Sequence, residues 1–197
     1  MTSRRGQALP FLLAAAFSTL TVLGTAGSGA GGILFGIQRP DLSPSFLPAS
    51  GASAGVESVG AYGYALDAEG FIVGGFGMAI LDQGILEGGN LTEGSYAGGV
   101  GGLLVGQRLV GERRFKLDLS ARLGVGGLAQ YKGDWTGWAV VFAEPFAEAA
   151  IVLSPWMALS AQAGYRLMGN FAPGLAFDRF FILSPVLCFA VSWGLFR

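Results

Sequence analysis

The side chains of this sequence that could carry chemistry are a small set of charged and amide groups at alternating positions. Asp118, Glu144 and Glu148 are carboxylates that could in principle serve as a general acid and base. The sequence has no His, which excludes Ser-His-Asp and Cys-His catalysis and every His-ligated metal. Basic residues lie at matching positions, so we expect the carboxylates to form ion pairs. The predicted polar network comprises Arg108, Lys116, Asp118, Arg122, Glu144, Glu148, Gln162 and Arg166.

Other sources of catalytic or metal chemistry are also missing from the sequence. Cys188 is the only Cys, so neither an internal disulfide nor a Cys-ligated metal site can form. The glycine-rich run 98–102 lacks the Lys and the Ser or Thr of a phosphate-binding loop. We therefore predict a protein without catalytic residues, cofactor or metal.

The elements that must position the polar network are indicated by a period of two. In segment 115–123 the odd positions are apolar and the even positions are charged or polar, and segment 157–167 repeats the pattern. This period predicts strands with two unlike faces. Only 13% of the residues are charged and 52% are hydrophobic, whereas soluble domains carry about 25% charged residues. We therefore expect the apolar face to meet lipid.

Eight strands and their connections predict an all-β fold, a closed antiparallel up-and-down transmembrane β-barrel. Closure follows because hydrocarbon offers no hydrogen-bond partner to an open sheet edge. Short turns that alternate with longer loops are typical of outer-membrane barrels. The predicted strands are 31–38, 56–67, 71–82, 95–109, 115–131, 138–153, 157–169 and 180–196. Short turns are predicted at 68–70, 110–114 and 154–156, an intermediate one at 131–137, and longer loops at 39–55, 83–94 and 170–179.

The first 30 residues have the pattern of a signal peptide. Arg4 and Arg5 precede an apolar stretch over 8–23, and small residues follow. Cleavage is expected after Ala26 or Ala30, which leaves 31–197 as a single barrel domain. Export by this route predicts the bacterial outer membrane as the destination.

The short connections predict which lumen residues lie opposite one another. Hairpin geometry places Arg122 opposite Glu148, and Glu148 also opposite Gln162. It further pairs Glu144 with Arg166, and Arg108 with Asp118. An eight-stranded barrel has a lumen that its own side chains can fill, so we predict an ionic plug. A selective pore or a proton path is the alternative.

Several further residues receive predicted positions from the same alternation. Cys188 is expected to be a small lumen-facing filler, and glycines inside strands to make room for large neighbours or to allow sharp bends. Strand 138–153 would turn Trp138, Phe142 and Phe146 inward, with Pro145 at a bulge or an edge. Aromatic residues near the strand ends predict two girdles at the membrane interfaces. These are Phe71, Phe115, Tyr131, Trp135, Trp138, Trp156, Phe180, Phe181, Trp193 and Phe196.

With these features the chain resembles the small eight-stranded outer-membrane β-barrels of two-membrane, Gram-negative-type bacteria. The resemblance covers residues 31–197 and rests on architecture, without a diagnostic motif. It implies the lipid bilayer as a partner, and the barrel-assembly machinery during biogenesis. That machinery reads a terminal aromatic residue, whereas here Phe196 precedes Arg197 and is out of phase with Trp193. A monomer is expected, and the net charge of −1 argues against a nucleic-acid partner.

Different classes of function remain open from the sequence. The preferred one is a structural or surface-interaction barrel whose loops 39–55 and 83–94 contact the exterior. A narrow porin-like channel or a carrier of small molecules is the second, motivated by apolar residues in predicted loops. A helical inner-membrane protein is the third, since 138–161 and 180–196 are long apolar stretches. A soluble lipocalin-like barrel would need more charged residues on its outer face. The apolar loop residues are Phe46, Leu47, Phe171 and Leu175.

Overall fold

The chain forms eight antiparallel strands that follow one another around a closed barrel. The computed structural model describes residues 28–38, 56–82, 95–131, 133–171 and 182–196. The predicted loops 39–55 and 83–94, most of 170–179, and residues 1–27 of the predicted signal peptide lie outside the described residues. The strands are β1 Ser28–Gln38, β2 Val56–Leu66, β3 Phe71–Asp82, β4 Tyr96–Gly111, β5 Phe115–Tyr131, β6 Trp135–Ser154, β7 Met157–Phe171 and β8 Ile182–Gly194.

Each strand pairs with its neighbours in sequence, and β1 pairs with β8 to close the sheet. The predicted fold class is therefore confirmed. The alternative of a helical protein is wrong, because 138–161 lies in β6 and β7 and the described part of 180–196 forms β8. No stretch of the described ranges forms a helix long and apolar enough to span a membrane.

The connections at 67–70, 112–114 and 155–156 all lie at one end of the barrel, here termed the turn end. The opposite end is termed the loop end. Asp67 fixes the first of these turns, because its carboxylate accepts hydrogen bonds from the backbone N–H groups of Glu69 and Phe71, at 2.9 and 2.8 Å. Gly70 completes the turn with a φ of 86°. Since the strand number is even, β1 begins and β8 ends at the turn end.

The first strand begins earlier than the alternation predicts. Ser28 pairs with Leu66 of β2, and Ala30 pairs with Gly194 of β8. Cleavage after Ala30 would remove three paired residues from the strand that closes the barrel, whereas cleavage after Ala26 would leave the whole of β1 in place. The domain boundary at residue 30 and both cleavage sites remain predictions.

The hairpin of β5 and β6 is longer and its turn tighter than predicted. Tyr131 pairs with Trp135, so three residues connect strands where seven were expected. Gly133, with a φ of 82°, makes this short connection possible because glycine adopts positive φ without steric cost. The β5–β6 ladder therefore extends to the pairs Gln130–Thr136 and Tyr131–Trp135, and threonine is a good strand former. Every pair along these two strands differs from the predicted register as a result.

Even-numbered residues face the lumen and odd-numbered residues face outward along the strands. In β1, Leu34 is fully buried while its neighbours Ile33 and Phe35 are exposed. The same alternation predicted for β8 is confirmed, with Cys188 buried and Phe189 exposed. Register shifts occur only near the turn end among the described strand pairs, at Arg108/Val110 and Val152/Ser154.

Pro145 marks neither a bulge nor an edge, contrary to the prediction. Its ring is exposed on the outer face, and it pairs with Ala121 of β5. On the β7 side, pairing stops after Ala143 and resumes at Phe146 in the same register. Proline has no backbone N–H to donate, which accounts for this interruption of the ladder.

Inward glycines of β4 and β5 are required by the approach of the two backbones. Gly102 lies opposite Gly124, and a Cβ on Gly102 would stand 2.5 Å from the Cα of Gly124. The outward Gly127 has its nearest such neighbour, the carbonyl oxygen of Trp138, at 3.9 Å. At this pair the glycines therefore allow the two backbones to approach closely. They do not serve to make room for a large neighbouring side chain, as was predicted for glycines inside strands.

We expect Gly102→Ala to lower the free energy of unfolding by about 1–3 kcal/mol, the usual cost of overpacking a well-packed site. The added methyl group would meet the backbone of β5, which cannot move aside as a side-chain tip can. Urea unfolding in detergent measures the effect. Gly127→Ala is the matched control and should leave stability unchanged; equal effects of the two substitutions would contradict the explanation.

Candidate functional site

The centre of the lumen is occupied by one carboxylate held between two guanidinium groups. Glu144 accepts a hydrogen bond from Arg122 through Oε1 and another from Arg166 through Oε2, the latter at 2.6 Å. The side chains of all three residues are at most 1% exposed. Arg122 also donates to Oε1 of Gln162. The three charges come from β5, β6 and β7, where the strand alternation turns them inward side by side.

Arg166 reaches across the lumen to the opposite wall. Its Nη1 donates to Oε1 of Gln38 on β1 at 2.9 Å, and its Nη2 lies 3.5 Å from the Ser58 hydroxyl on β2. The same Nη2 lies 3.4 Å from the sulfur of Met78 on β3, the strand diametrically opposite β7. One side chain therefore spans the lumen at this level.

The inward phenylalanines of β6 are stacking partners for the two guanidinium groups. The Cζ of Arg122 lies 4.1 Å from the ring centroid of Phe146, and that of Arg166 lies 5.4 Å from the ring centroid of Phe142. Cation–π contacts of desolvated groups contribute about 2 kcal/mol. These contacts explain why aromatic and acidic residues alternate with each other on the inward face of β6.

A second polar layer lies nearer the turn end. Arg108 makes a bidentate ion pair with Asp118, at 2.8 and 2.9 Å. Glu148 lies opposite Asp118 across β5 and β6, and its Oε2 accepts a hydrogen bond from Nε2 of Gln162 at 2.9 Å. Because Gln162 also contacts Arg122, the two layers form one connected network.

The structure corrects one predicted lumen pair and supports the others. Arg122 lies opposite Glu144, and the predicted pairing with Glu148 is wrong because the β5–β6 connection is four residues shorter. The pairs Arg108–Asp118, Glu144–Arg166 and Glu148–Gln162 form as the short turns predict.

Lys116 is buried in the lumen but makes no ion pair within 4.0 Å among the described residues. Its Nζ instead lies 4.7 Å from the ring centroid of Phe196. The predicted place of Phe196 in an aromatic girdle is therefore wrong, because its ring is buried inside the turn end. Trp138 likewise packs toward the lumen core, which contradicts its place in a girdle and agrees with its predicted inward position.

The other predicted girdle residues divide between exposed positions and positions outside the described part of the chain. Phe180 and Phe181 belong to the second group. Tyr131 is half-buried and its ring contacts that of Trp135, with centroids 5.6 Å apart. Phe71, Phe115, Trp135, Trp156 and Trp193 are exposed on the outer surface near strand ends.

Several residues that complete the network were missed in the sequence. Gln38, Ser58 and Met78 approach Arg166 from strands far away in the chain, so hairpin geometry gave no sign of them. The alternation of faces, in which even-numbered residues point inward, would have placed Gln38 and Ser58 in the lumen. Tyr62 and Tyr64 also face inward, with parallel rings whose centroids are 6.2 Å apart.

Comparison with known proteins gives a match in structure alone. No protein-family model matches the chain, and no curated protein matches it. Among solved structures, the crystal structure of Neisserial surface protein A matches with a TM-score of 0.56 and 10% sequence identity. The match covers 87% of this chain and 98% of that chain. This chain has the fold of an eight-stranded outer-membrane barrel.

At 10% identity the likeness to Neisserial surface protein A establishes the fold, and the predicted resemblance is confirmed at that level. The polar network described above belongs to this chain's own residues. The function of the barrel is therefore inferred from the residues on its outer surface and in its lumen.

Proposed function

We propose that the chain is an integral outer-membrane barrel with a structural or surface-interaction role and no enzymatic activity. The observation that carries the proposal is an inverted distribution of side chains. Large apolar side chains are exposed on the outer face of all eight strands, whereas Arg122, Glu144 and Arg166 are buried inside. Soluble monomers rarely expose apolar patches larger than a few hundred Å². Exposed examples include Phe35, Val59, Val73, Leu103, Val125, Ile151, Leu159 and Phe189.

In the proposed orientation the turn end faces the periplasm and the loop end faces the exterior, as is usual for outer-membrane barrels. Segments 39–55 and 83–94 join strands at the loop end and are the proposed contact surface. The lumen is proposed to be plugged, because Arg166 spans it and binds Glu144, Gln38 and the Ser58 hydroxyl. The barrel would then neither conduct ions nor carry a substrate across the membrane.

Cysteine labelling of intact cells tests the orientation. In a Cys188→Ala background, Ser50→Cys lies in the proposed surface segment and Arg113→Cys lies in a described turn. We expect a membrane-impermeant maleimide to label residue 50 on intact cells, and residue 113 only after the outer membrane is permeabilised. Labelling of residue 113 on intact cells, or of neither residue in any membrane fraction, would refute the proposal.

Current through planar bilayers tests the plug. We expect the purified wild-type barrel to insert without step-like currents. Insertion is verified separately by resistance of the β5–β6 hairpin to added protease. Reproducible unitary currents from the folded wild-type protein would overturn the plug and favour the channel alternative.

A further inference from the structure

The aromatic ring of Phe196 lies across the mouth of the barrel at the turn end. Phe196 follows β8, yet it is buried and packs with Ala30 of β1 and Ala158 of β7. Tyr64 of β2 and Val152 of β6 pack against the same cluster. The cluster joins β1, β2, β6 and β7, and because β2 and β6 are opposite strands of the barrel, the ring of Phe196 lies in the mouth.

The backbone around Phe196 is anchored to both flanking elements. The N–H of Leu195 donates to the carbonyl oxygen of Gly29 at 3.0 Å, and that of Phe196 donates to the carbonyl oxygen of Pro155 at 3.1 Å. Gly194 donates to the carbonyl oxygen of Trp156 at 3.1 Å. These bonds join β1 and the β6–β7 turn, so the segment is held across the opening.

The lumen layer immediately behind this ring contains buried polar atoms without hydrogen-bond partners in the structure. Tyr62 lies two residues beyond Tyr64 on β2, and Ser160 two residues beyond Ala158 on β7. Both hydroxyls are buried without a hydrogen-bond partner, as is Nε of Arg122, which lies nearer the loop end. Ser192 is a polar neighbour of the Tyr62 hydroxyl, and Glu148 is a polar neighbour of the Ser160 hydroxyl.

Buried polar atoms that lack a partner within the protein are typically satisfied by ordered water. The opposite limit of this region is the layer formed by Arg122, Glu144 and Arg166, which spans the lumen. Lys116 lies at the rim, where its Nζ contacts the Phe196 ring. Polar groups thus line a compartment whose boundary toward the turn end is one aromatic ring.

We propose that the turn-end half of the lumen is a hydrated chamber that binds water and admits small polar solutes, and that Phe196 is its lid. Water binds the Tyr62 and Ser160 hydroxyls in this chamber. The ring of Phe196, held by its backbone bonds and by the contact with Lys116, separates this water from the solvent at the turn end. The chamber is a dead end, because the charged layer closes it toward the loop end.

Thiol labelling of the refolded barrel in detergent tests the lid. The reporter is Ser192→Cys in a Cys188→Ala background, since Ser192 is buried directly behind the ring, beside Ala158. We expect Phe196→Ala to accelerate its reaction with a small charged methanethiosulfonate by about tenfold or more, because local opening is no longer required. Lys116→Met should give a smaller acceleration.

Leu195→Ala is the matched control, because Leu195 is the adjacent residue and points outward, 54% exposed. It should leave the labelling rate unchanged. Circular dichroism verifies that every variant is folded. Equal labelling rates for the wild type and Phe196→Ala, with both folded, would overturn the lid.

A crystal structure that resolves water tests hydration separately. Water oxygens are expected within hydrogen-bond distance of the Tyr62 and Ser160 hydroxyls. Direct Tyr62–Ser192 and Ser160–Glu148 hydrogen bonds in a dry lumen would overturn the hydrated chamber. Neither result bears on the proposed outer-membrane role, which is tested by labelling at residues 50 and 113.

Discussion

Glu144→Gln is expected to destabilise the barrel by about 3–5 kcal/mol, the cost of leaving a buried charge without its partner. Glu144 is the single carboxylate bound to both Arg122 and Arg166, and all three side chains are buried. A glutamine keeps the shape of the side chain but removes the charge, and its amide group directs donors toward one of the two guanidinium groups. The substitution therefore isolates the electrostatic role from the packing.

The measurement is the free energy of unfolding in urea, followed by tryptophan fluorescence in lipid vesicles. Glu57→Gln is the control, because Glu57 alternates with the buried Ser58 and so faces away from the lumen. The control should change stability by less than about 0.5 kcal/mol. A Glu144 variant as stable as the wild type would show that the ion pairs do not hold the lumen together.

A triple replacement separates unpaired charge from a general intolerance of substitution. Arg122→Met, Glu144→Leu and Arg166→Met together remove all three charges and retain side-chain volume. Replacing a whole buried ion cluster by apolar residues is often neutral or stabilising, so the triple variant should regain most of the loss caused by Glu144→Gln. Failure to regain stability would assign the effect to packing around Phe142 and Phe146.

The strands and the tight hairpins were predictable because alternation and turn chemistry are local properties. A turn of two or three residues leaves little freedom in register, which explains why Glu144–Arg166 and Arg108–Asp118 could be paired from the sequence. The predicted length of the β5–β6 connection was wrong, because Gly133 at positive φ allows a shorter turn. The inward and outward faces of both strands are as predicted, but Arg122 pairs with Glu144 instead of Glu148.

Contacts across the lumen could not be predicted in the same way. Gln38 and Met78 are 128 and 88 residues from Arg166, and no local pattern relates them. Phe196 has the residue type and place of a girdle aromatic, yet its ring packs inward on small residues, Ala30 and Ala158. Both outcomes depend on closure of the barrel, which brings distant strands to the same level.

The inverted faces also distinguish the lipid-embedded barrel from a soluble one with the same strands. In water, the exposed apolar side chains of all eight strands would be a liability, whereas in hydrocarbon they are the favourable surface. The buried network has the reverse requirement, because its charges need partners that lipid cannot supply. One barrel in one environment satisfies both requirements.

Leu123→Arg is expected to destabilise the barrel in lipid vesicles by about 2–4 kcal/mol, the cost of an arginine on the lipid face at the bilayer midplane. Leu123 lies at the middle of β5 and is 48% exposed on the outer face. If this face were bathed in water, a charge there would be tolerated and would improve solubility. The sign and size of the effect therefore report the solvent of the outer face.

Two matched substitutions provide the depth scale, measured as unfolding free energies in the same vesicles. Leu109 lies near the turn end of β4 and is 57% exposed, and Leu119 lies between this level and the middle, 54% exposed. Leu109→Arg should cost about 0–1 kcal/mol, because arginine near the interface reaches the headgroups, with Leu119→Arg intermediate. Equal, small effects at all three positions would place the outer face in water and refute the membrane assignment. A cost that rises with depth would show that the apolar belt of this barrel is set in hydrocarbon.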